Sequence, residues 1–168
     1  ETLAGPDGRA KLLRPIRPED QPALQALCDL LPAEETPPRT PRAPRLLSRD
    51  LAARLTQIDY DREMALVLSA SGAGAEATLQ GVARLAADPD NERAEVAMLV
   101  HPDLTGRGLG GILLGRLVDY ARQRGIGELW GEVPAGNRAM LKLCAELGFR
   151  VTRDPLAPDV RRVSLALR

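Results

Sequence analysis

The sequence predicts a mixed α/β domain of the α+β class. We expect one central, mostly antiparallel sheet of six to seven strands, flanked by about four helices. The chain has 168 residues, which is the size of one ordinary domain. Its apolar patterns alternate between strand and helix type in the order β-α-α-β-β-β-α-β-α-β-β. No internal repeat and no second apolar core is visible, so these elements are expected to share one sheet.

The N-terminal part contains a strand and two helices. Residues 1–10 are polar and rich in Gly and Pro, which predicts a tail or linker. Leu12 to Ile16 predicts a strand. Pro18-Glu19-Asp20 suits a helix start, because Pro fits a first turn and acids favour the positive end of the helix dipole. The apolar face of this helix is Ala23, Leu24, Leu27, Leu30 and Leu31. Residues 32–47 predict a loop, and Ser48 is a plausible N-cap for a second helix ending near Gln57.

The remainder of the chain predicts most of the sheet. Three consecutive strands are predicted, the first two as a hairpin: Met64–Ser69, Thr78–Ala86 and Ala94–Val100. A long amphipathic helix follows from about Leu109 to Arg124, and then a strand from Glu128 to Val133. Asn137 to Leu147 predicts a further helix, with Gly148 just beyond its end. The last two strands, expected to pair antiparallel, are Phe149–Arg153 and Val160–Leu167.

The composition excludes several classes of function. Lys and Arg number 23 and Asp and Glu number 23, so no basic surface of the kind nucleic-acid binders need is indicated. One His and two Cys are too few for a zinc site, and Cys28 and Cys144 are too sparse for a secreted disulfide framework. No signal peptide or 18-residue apolar run is present, which predicts a cytoplasmic protein without a membrane span. The chain begins at Glu1 rather than Met, so we expect a domain excised from a larger protein.

A Gly-rich segment between a strand and a helix is the most informative motif. Glycines let backbone N–H groups approach an anion, and the helix start adds free N–H groups and a positive dipole end, so the segment favours a pyrophosphate. A P-loop is excluded because no Lys-Ser/Thr follows the last glycine. Gly106-x-Gly108-x-x-Gly111 matches a dinucleotide fingerprint, but it lies far into the domain, after strands of hairpin type. The remaining interpretations are a ligand-free turn and the pyrophosphate loop of an acyl-CoA site.

The same segment resembles motif A of the GNAT N-acyltransferases. The matching pattern is Val100-x-Pro102-x-x-x-Gly106-Arg107-Gly108-Leu109-Gly110, followed by a Leu-rich helix. The run from Asn137 to Phe149 looks like motif B of that family. The resemblance covers essentially residues 12–168, so the acyltransferase domain is expected to occupy 11–168. It implies the GNAT fold and an enzyme that uses acetyl-CoA without a metal.

A narrower resemblance is to the Pat-type bacterial protein lysine acetyltransferases. It rests on residues 56–66, Gly81-Val82-Ala83-Arg84, Ala94-Glu95-Val96-Ala97, residues 120–126 and Gly131-Glu132-Val133. It implies transfer to the ε-amine of protein lysines, with acyl-CoA synthetases as plausible substrates and a fused regulatory domain outside this chain. Two rival interpretations stay open: a GNAT enzyme that acetylates a small-molecule amine, and a non-catalytic acyl-CoA-binding sensor.

Glu95 is the candidate general base. A Glu in an otherwise apolar strand is unexpected unless it is paired or functional, and the resemblance places a catalytic Glu at this position. The alternative is an exposed strand-start Glu or a salt bridge beside Glu92 and Arg93. A carboxylate is needed because lysine, with a pKa of about 10.4, is a free base in only roughly one molecule in a thousand at neutral pH.

The candidate cofactor-binding residues lie on the strand end, the Gly-rich segment and the next helix start. They are Met98, Leu99, Val100, Gly106, Arg107, Gly108, Leu109, Gly110, Gly111 and Asn137. The strand end would bind the pantetheine arm as an added strand, and the glycines would hold the pyrophosphate. Arg107 is equally explained as a solvated loop residue and Asn137 as a simple N-cap. Cys144 stands where many GNAT enzymes have a Tyr proton donor, although a small core residue is the better interpretation.

Overall fold

A computed structural model of the chain describes residues 2–4, 10–29, 63–70, 79–101 and 108–167. These residues form one eight-stranded sheet and three α-helices. The strands are β1 (Thr2–Ala4), β2 (Ala10–Pro15), β3 (Glu63–Ala70), β4 (Leu79–Ala87), β5 (Arg93–Val100), β6 (Glu128–Pro134), β7 (Arg150–Asp154) and β8 (Ala157–Ala166). The helices are α1 (Gln21–Asp29), α2 (Leu109–Gln123) and α3 (Arg138–Glu146), with a 3-10 turn at Pro18–Asp20 before α1. None of these helices is long and apolar enough to cross a membrane.

The predicted fold class is confirmed, with two differences in the number of elements. The sheet has eight strands instead of six to seven, because Thr2–Ala4 in the predicted tail pairs antiparallel with β2. The structure describes three α-helices instead of about four, and the helix predicted from Ser48 lies outside the described residues. β8 begins at Ala157, three residues before the predicted start, because β7 and β8 form a tight hairpin in which Leu156 N–H donates to Asp154 Oδ1 at 2.9 Å.

The sheet order is β1-β2-β3-β4-β5-β6-β8-β7. All neighbouring strands are antiparallel except β5 and β6, which are parallel. A parallel pair needs a crossover connection, and α2 lies in the segment that joins these two strands. α2 is therefore the crossover helix between β5 and β6.

The two faces of the sheet carry different helices. α2 and α3 cover one face with an apolar cluster that includes Leu113, Leu117, Cys144, Val96 and Val163. On the opposite face α1 contributes Leu24 and Leu27 to a second cluster with Val67, Val82 and Leu99. Alternate residues of a strand point to opposite faces. Along β5, Ala94, Val96, Met98 and Val100 therefore face α2, whereas Glu95, Ala97 and Leu99 face the side of α1.

A buried ion pair fixes α1 to the sheet. Arg14 donates from both terminal nitrogens to the carboxylate of Asp20, each at 2.7 Å, and the backbone N–H of Arg17 donates to Asp20 Oδ2 at 2.7 Å. Burial alone would raise the pKa of Asp20, but these hydrogen bonds and the two positive charges outweigh it and lower the pKa. Asp20 is therefore held as a carboxylate at the entrance to α1.

Candidate active site

Strands β5 and β6 are paired along only part of their length. Their parallel register ends at Glu95 with Trp130. β5 nevertheless stays paired with β4 as far as Val100, and β6 stays paired with β8 as far as Pro134. The two strands therefore separate, and their facing edges carry backbone groups outside the ladder between them. We call the space between β5 beyond Glu95 and β6 beyond Trp130 the interstrand cleft.

Gly131 forms the apex of the interstrand cleft. A Cβ atom added to this glycine would lie 2.7 Å from the backbone carbonyl oxygen of Val96 and 3.7 Å from Val163 Cγ2. A carbon atom and a backbone oxygen do not approach this closely in real structures, so any side chain here would push β6 away from β5. The missing side chain thus lets the strands stay close one residue beyond the last pair.

The N-terminus of α2 lies against the second half of β5. A Cβ on Gly110 would meet Met98 Cε and Leu143 Cδ2, each at 3.0 Å, and Val100 Cγ2 at 3.7 Å. Gly110 therefore lets the first turn of α2 pack closely on β5 and α3. Of the predicted cofactor-binding residues, the structure brings together Met98, Val100, Leu109, Gly110 and Gly111. Leu99 belongs to the same strand but points to the opposite face.

The first turn of α2 presents backbone donors that have no acceptor within the helix. Gly108 is the N-cap residue in a left-handed conformation with φ of 81°, which a glycine adopts without strain, and no side chain of the described residues caps this helix end. The first intrahelical bond runs from Ile112 N–H to the Gly108 carbonyl at 3.3 Å. The N–H groups of Leu109, Gly110 and Gly111 precede that bond and have no intrahelical acceptor. The positive end of the helix dipole adds to their attraction for an anion.

These two features fit the cofactor that the sequence resemblance implies. The pyrophosphate of CoA suits the N–H groups at the start of α2 that have no acceptor within the helix, and the amide-bearing pantetheine arm of CoA suits the edge of β5 beyond its ladder with β6. Gly106 and Arg107 lie outside the described residues. Among the residues that the structure describes, no cluster of His, Cys, Asp and Glu could hold a metal ion.

Glu95 stands at the last residue pair before the interstrand cleft opens. It is partly exposed, and its side chain points to the face opposite α2. The register places Ala86, Glu95, Trp130 and Ser164 in one row across four strands, so these side chains share a face. Glu95 therefore lies beside the indole of Trp130.

A second charged pair lies on the same face. Arg84 on β4 is opposite Ala97 on β5, which places it diagonal to Glu95. Its side chain is only 10% exposed, and its guanidinium forms an ion pair with Glu63 at 3.8 Å. The surroundings of Glu95 on this side therefore contain both signs of charge.

Trp130 lies against two arginines, Arg93 and Arg162. The guanidinium of Arg162 lies 4.4 Å from the ring centroid of Trp130, and that of Arg93 lies 5.7 Å from it. Both distances are typical of cation–π contacts. Arg93 also donates from Nε to Glu128 Oε1 at 2.8 Å. Trp130 is the one Trp of the chain, but the sequence does not show that Arg162 lies beside it. That contact depends on the register between β6 and β8.

Two further predicted residues have clear structural surroundings. Asn137 is the N-cap of α3, and its side-chain oxygen accepts from Met140 N–H at 3.2 Å, as the simpler interpretation predicted. Cys144 has no exposed surface, and burial raises the pKa of its thiol to about 11. The thiol is packed among apolar side chains of the α2 face. This location agrees with a core residue and gives the thiol no direct path to a leaving group.

Known proteins show the same fold and the same sequence pattern. The sequence model of the Acetyltransferase (GNAT) family matches residues 24–149. An acetyltransferase from Pseudomonas aeruginosa is 34% identical over 149 residues, covering 89% of this chain and 80% of that protein.

Two solved structures superpose along nearly the whole chain. The GNAT domain of Streptomyces lividans PAT has a TM-score of 0.79 at 24% identity, covering 99% of this chain and 96% of that one. A putative acetyltransferase from Salmonella typhimurium, solved with acetyl-CoA, has a TM-score of 0.71 at 24% identity, covering 94% of each chain. The chain therefore belongs to the GNAT family of acetyltransferases, enzymes that transfer the acetyl group of acetyl-CoA to an amine.

Proposed function

We propose that this chain acetylates the ε-amine of lysine residues in proteins, with Glu95 as the general base. The observation that carries the proposal is the position of Glu95 at the last residue pair before the interstrand cleft. Its side chain is directed to the face opposite the helix start that suits the cofactor's phosphates. A substrate on that face would reach the cleft without crossing the cofactor.

Acetyl transfer needs three contributions from the protein: removal of a proton from the amine, orientation of the two substrates, and stabilisation of the negative charge that develops on the carbonyl oxygen. Acetyl-CoA supplies a thioester carbonyl carbon, to which the neutral amine nitrogen bonds as the carbon–sulfur bond breaks; CoA leaves as a thiolate, and the further proton that the nitrogen loses converts it to the free thiol. Glu95, directly or through a water molecule, takes the proton that the ammonium form of lysine must lose. A backbone N–H at the Met98–Val100 edge polarises the carbonyl oxygen as negative charge develops there. The pyrophosphate is held by Gly106 to Gly111, with Arg107 adding charge and Asn137 reaching the CoA arm.

The choice of protein lysine as acceptor rests on the sequence resemblance to the Pat-type enzymes. The superposition on the S. lividans PAT domain supports it only at the level of the fold. By the same resemblance we propose acyl-CoA synthetases as substrates, a cytoplasmic location and a fused regulatory domain beyond this chain. Residues 11–168 would form the acyltransferase unit.

A substrate panel tests the proposal directly. Acetyl transfer is measured with lysine-containing proteins and peptides, and in parallel with polyamines, free amino acids and aminoglycosides. We expect turnover on lysine in proteins or peptides. Turnover on small amines alone would replace the proposal with the small-molecule alternative. Binding of acetyl-CoA without turnover on any amine would favour a sensor domain.

A further inference from the structure

The stacked group of Trp130, Arg93 and Arg162 lies on the same face as Glu95. Trp130 is the register partner of Glu95 on β6, and Arg162 follows on β8, two residues from Ser164. Alternation along the strands gives all of these side chains the same direction. The opposite face of the same strands carries Leu129, Val133 and Val163 against α2 and α3. The stacked group therefore borders the side from which we propose that the acceptor approaches.

The two arginines of the stacked group differ in their charge partners. Arg93 is neutralised by Glu128, since Nε and Oε1 are 2.8 Å apart. Arg162 lies opposite Glu132 in the sheet register, yet within the described residues no carboxylate is within ion-pair distance of it. Its guanidinium is folded over Trp130 instead.

A guanidinium stacked on an aromatic ring keeps its in-plane donors available. Stacking uses the flat face, whereas the N–H groups point outward from the edge and match a carboxylate in a fork of two hydrogen bonds. The ring also limits the conformations of the long side chain, so less conformational entropy is lost on binding. Arg162 is partly buried, which reduces the screening of its charge by water. These properties describe a binding site for an anion.

The separation of Arg162 from Glu95 suits an anion that the substrate carries close to the reacting amine. Arg162 lies two strands away from Glu95 and two residues further along the sheet. The strand spacing and the rise per residue then give a separation of about 12 Å between the Cα atoms of Glu95 and Arg162. In a peptide, the lysine amine is about 6 Å from its own Cα, and a neighbouring acidic side chain extends the reach further.

We propose that Arg162 selects acceptor lysines that have a carboxylate side chain next to them in the substrate protein. This inference rests on the proposed function and specifies its substrate. Arg162 acts as a specificity residue, because it touches the substrate but not the reacting atoms. Trp130 positions its guanidinium.

Paired peptides and matched arginine variants test the inference. Each peptide carries one lysine, flanked by Glu or by the isosteric Gln, and kcat/KM is measured for the wild type, Arg162→Gln, Arg162→Glu and Arg93→Gln. We expect the wild type to prefer the Glu peptide by about tenfold. Arg162→Gln should act on both peptides within about twofold of each other. Arg162→Glu should reverse the preference and act more slowly on the Glu peptide than on the Gln peptide.

Arg93→Gln is the matched control, because it removes a stacked charge that Glu128 already neutralises. Arg93→Gln should keep the preference for the Glu peptide. If Arg93→Gln and Arg162→Gln lost this preference equally, the assignment of carboxylate recognition to Arg162 would be overturned. A wild type that acts equally on both peptides would overturn the inference and leave the proposed function intact. Acetylation of small amines but of neither peptide would overturn both. Thermal melts of each variant confirm that the proteins compared are folded.

Discussion

Replacing Gly131 with Ala should both destabilise the fold and slow catalysis. The new Cβ would lie 2.7 Å from the Val96 carbonyl oxygen, whereas ordinary contacts begin at 3.4 Å. The strands must therefore separate by about 0.7 Å at the apex of the interstrand cleft. The contact involves backbone, so rotation of a side chain cannot relieve it. Insertion of a methyl group into such a packed position costs about 1–3 kcal/mol.

A glycine elsewhere in the chain provides the control. A Cβ on Gly115 of α2 would meet nothing within 4 Å, and Ala in a helix interior is favoured over Gly by about 0.5–1 kcal/mol. For a chain of this length, 1 kcal/mol corresponds to about 2–4 °C in Tm. We therefore expect Gly131→Ala to lower Tm by about 2–12 °C and Gly115→Ala to leave it unchanged or raise it.

Kinetics separate the role of Gly131 at the site from its role in folding. Val96 directly follows Glu95, so displacement of β5 at the apex also moves the candidate base. A misplacement of about 1 Å can cost 100-fold in rate, and we expect kcat of Gly131→Ala to fall by about ten- to 50-fold well below its Tm. Gly115→Ala should keep wild-type kcat. Equal Tm and equal kcat for the two variants would refute the assignment of the apex to Gly131.

Three further predictions concern the cofactor site, a buried ion pair and the buried thiol. Gly110→Val should weaken acetyl-CoA binding by at least about tenfold in calorimetry, because Cβ alone would already reach Met98 Cε at 3.0 Å; unchanged affinity would contradict the close packing of α2 on β5. The pKa of Asp20 is lowered below its ordinary value of 3.8, so its stabilising pair with Arg14 is complete above about pH 4 and is lost as the pH falls through the folded-state pKa. Urea melts between pH 6 and pH 2 should show this loss in the wild type and a smaller one in Asp20→Asn, and parallel curves would contradict it. Cys144, with no exposed surface and a thiol pKa of about 11, should resist iodoacetamide at pH 8 until the protein is unfolded, as peptide mass spectrometry can check; rapid labelling of the native protein would contradict its burial.

The sequence predicted the elements well because their signals are local. Leu109 opens α2 as predicted, and Asn137 caps α3, because a helix start depends on a few neighbouring residues. Thr2–Ala4 was missed as a strand, since three residues in a polar segment carry no alternation, and pairing with β2 alone makes them a strand.

The features that define the candidate site depend on contacts distant in sequence. The sequence singled out Glu95 as an unusual residue in an apolar strand, but only the register shows that pairing with β6 ends at this residue. Gly131 looked like an ordinary strand glycine, because its contact with Val96 joins two strands separated by α2. Arg162 becomes a neighbour of Trp130 only through the pairing of β6 with β8. Such contacts cannot be predicted from spacing along one segment.

Substitution of Glu95 by Gln tests the central claim most directly. The change keeps the shape of the side chain but removes its ability to accept a proton, so kcat for acetylation of a lysine peptide should fall by about 100- to 10,000-fold. Calorimetry on the same preparation should give an acetyl-CoA affinity within about twofold of the wild type, because the proposed cofactor contacts are made at the edge of β5 beyond Glu95 and at the start of α2, without the Glu95 side chain. Retention of wild-type kcat by Glu95→Gln, with acetyl-CoA bound normally, would contradict the assignment of Glu95 as the general base.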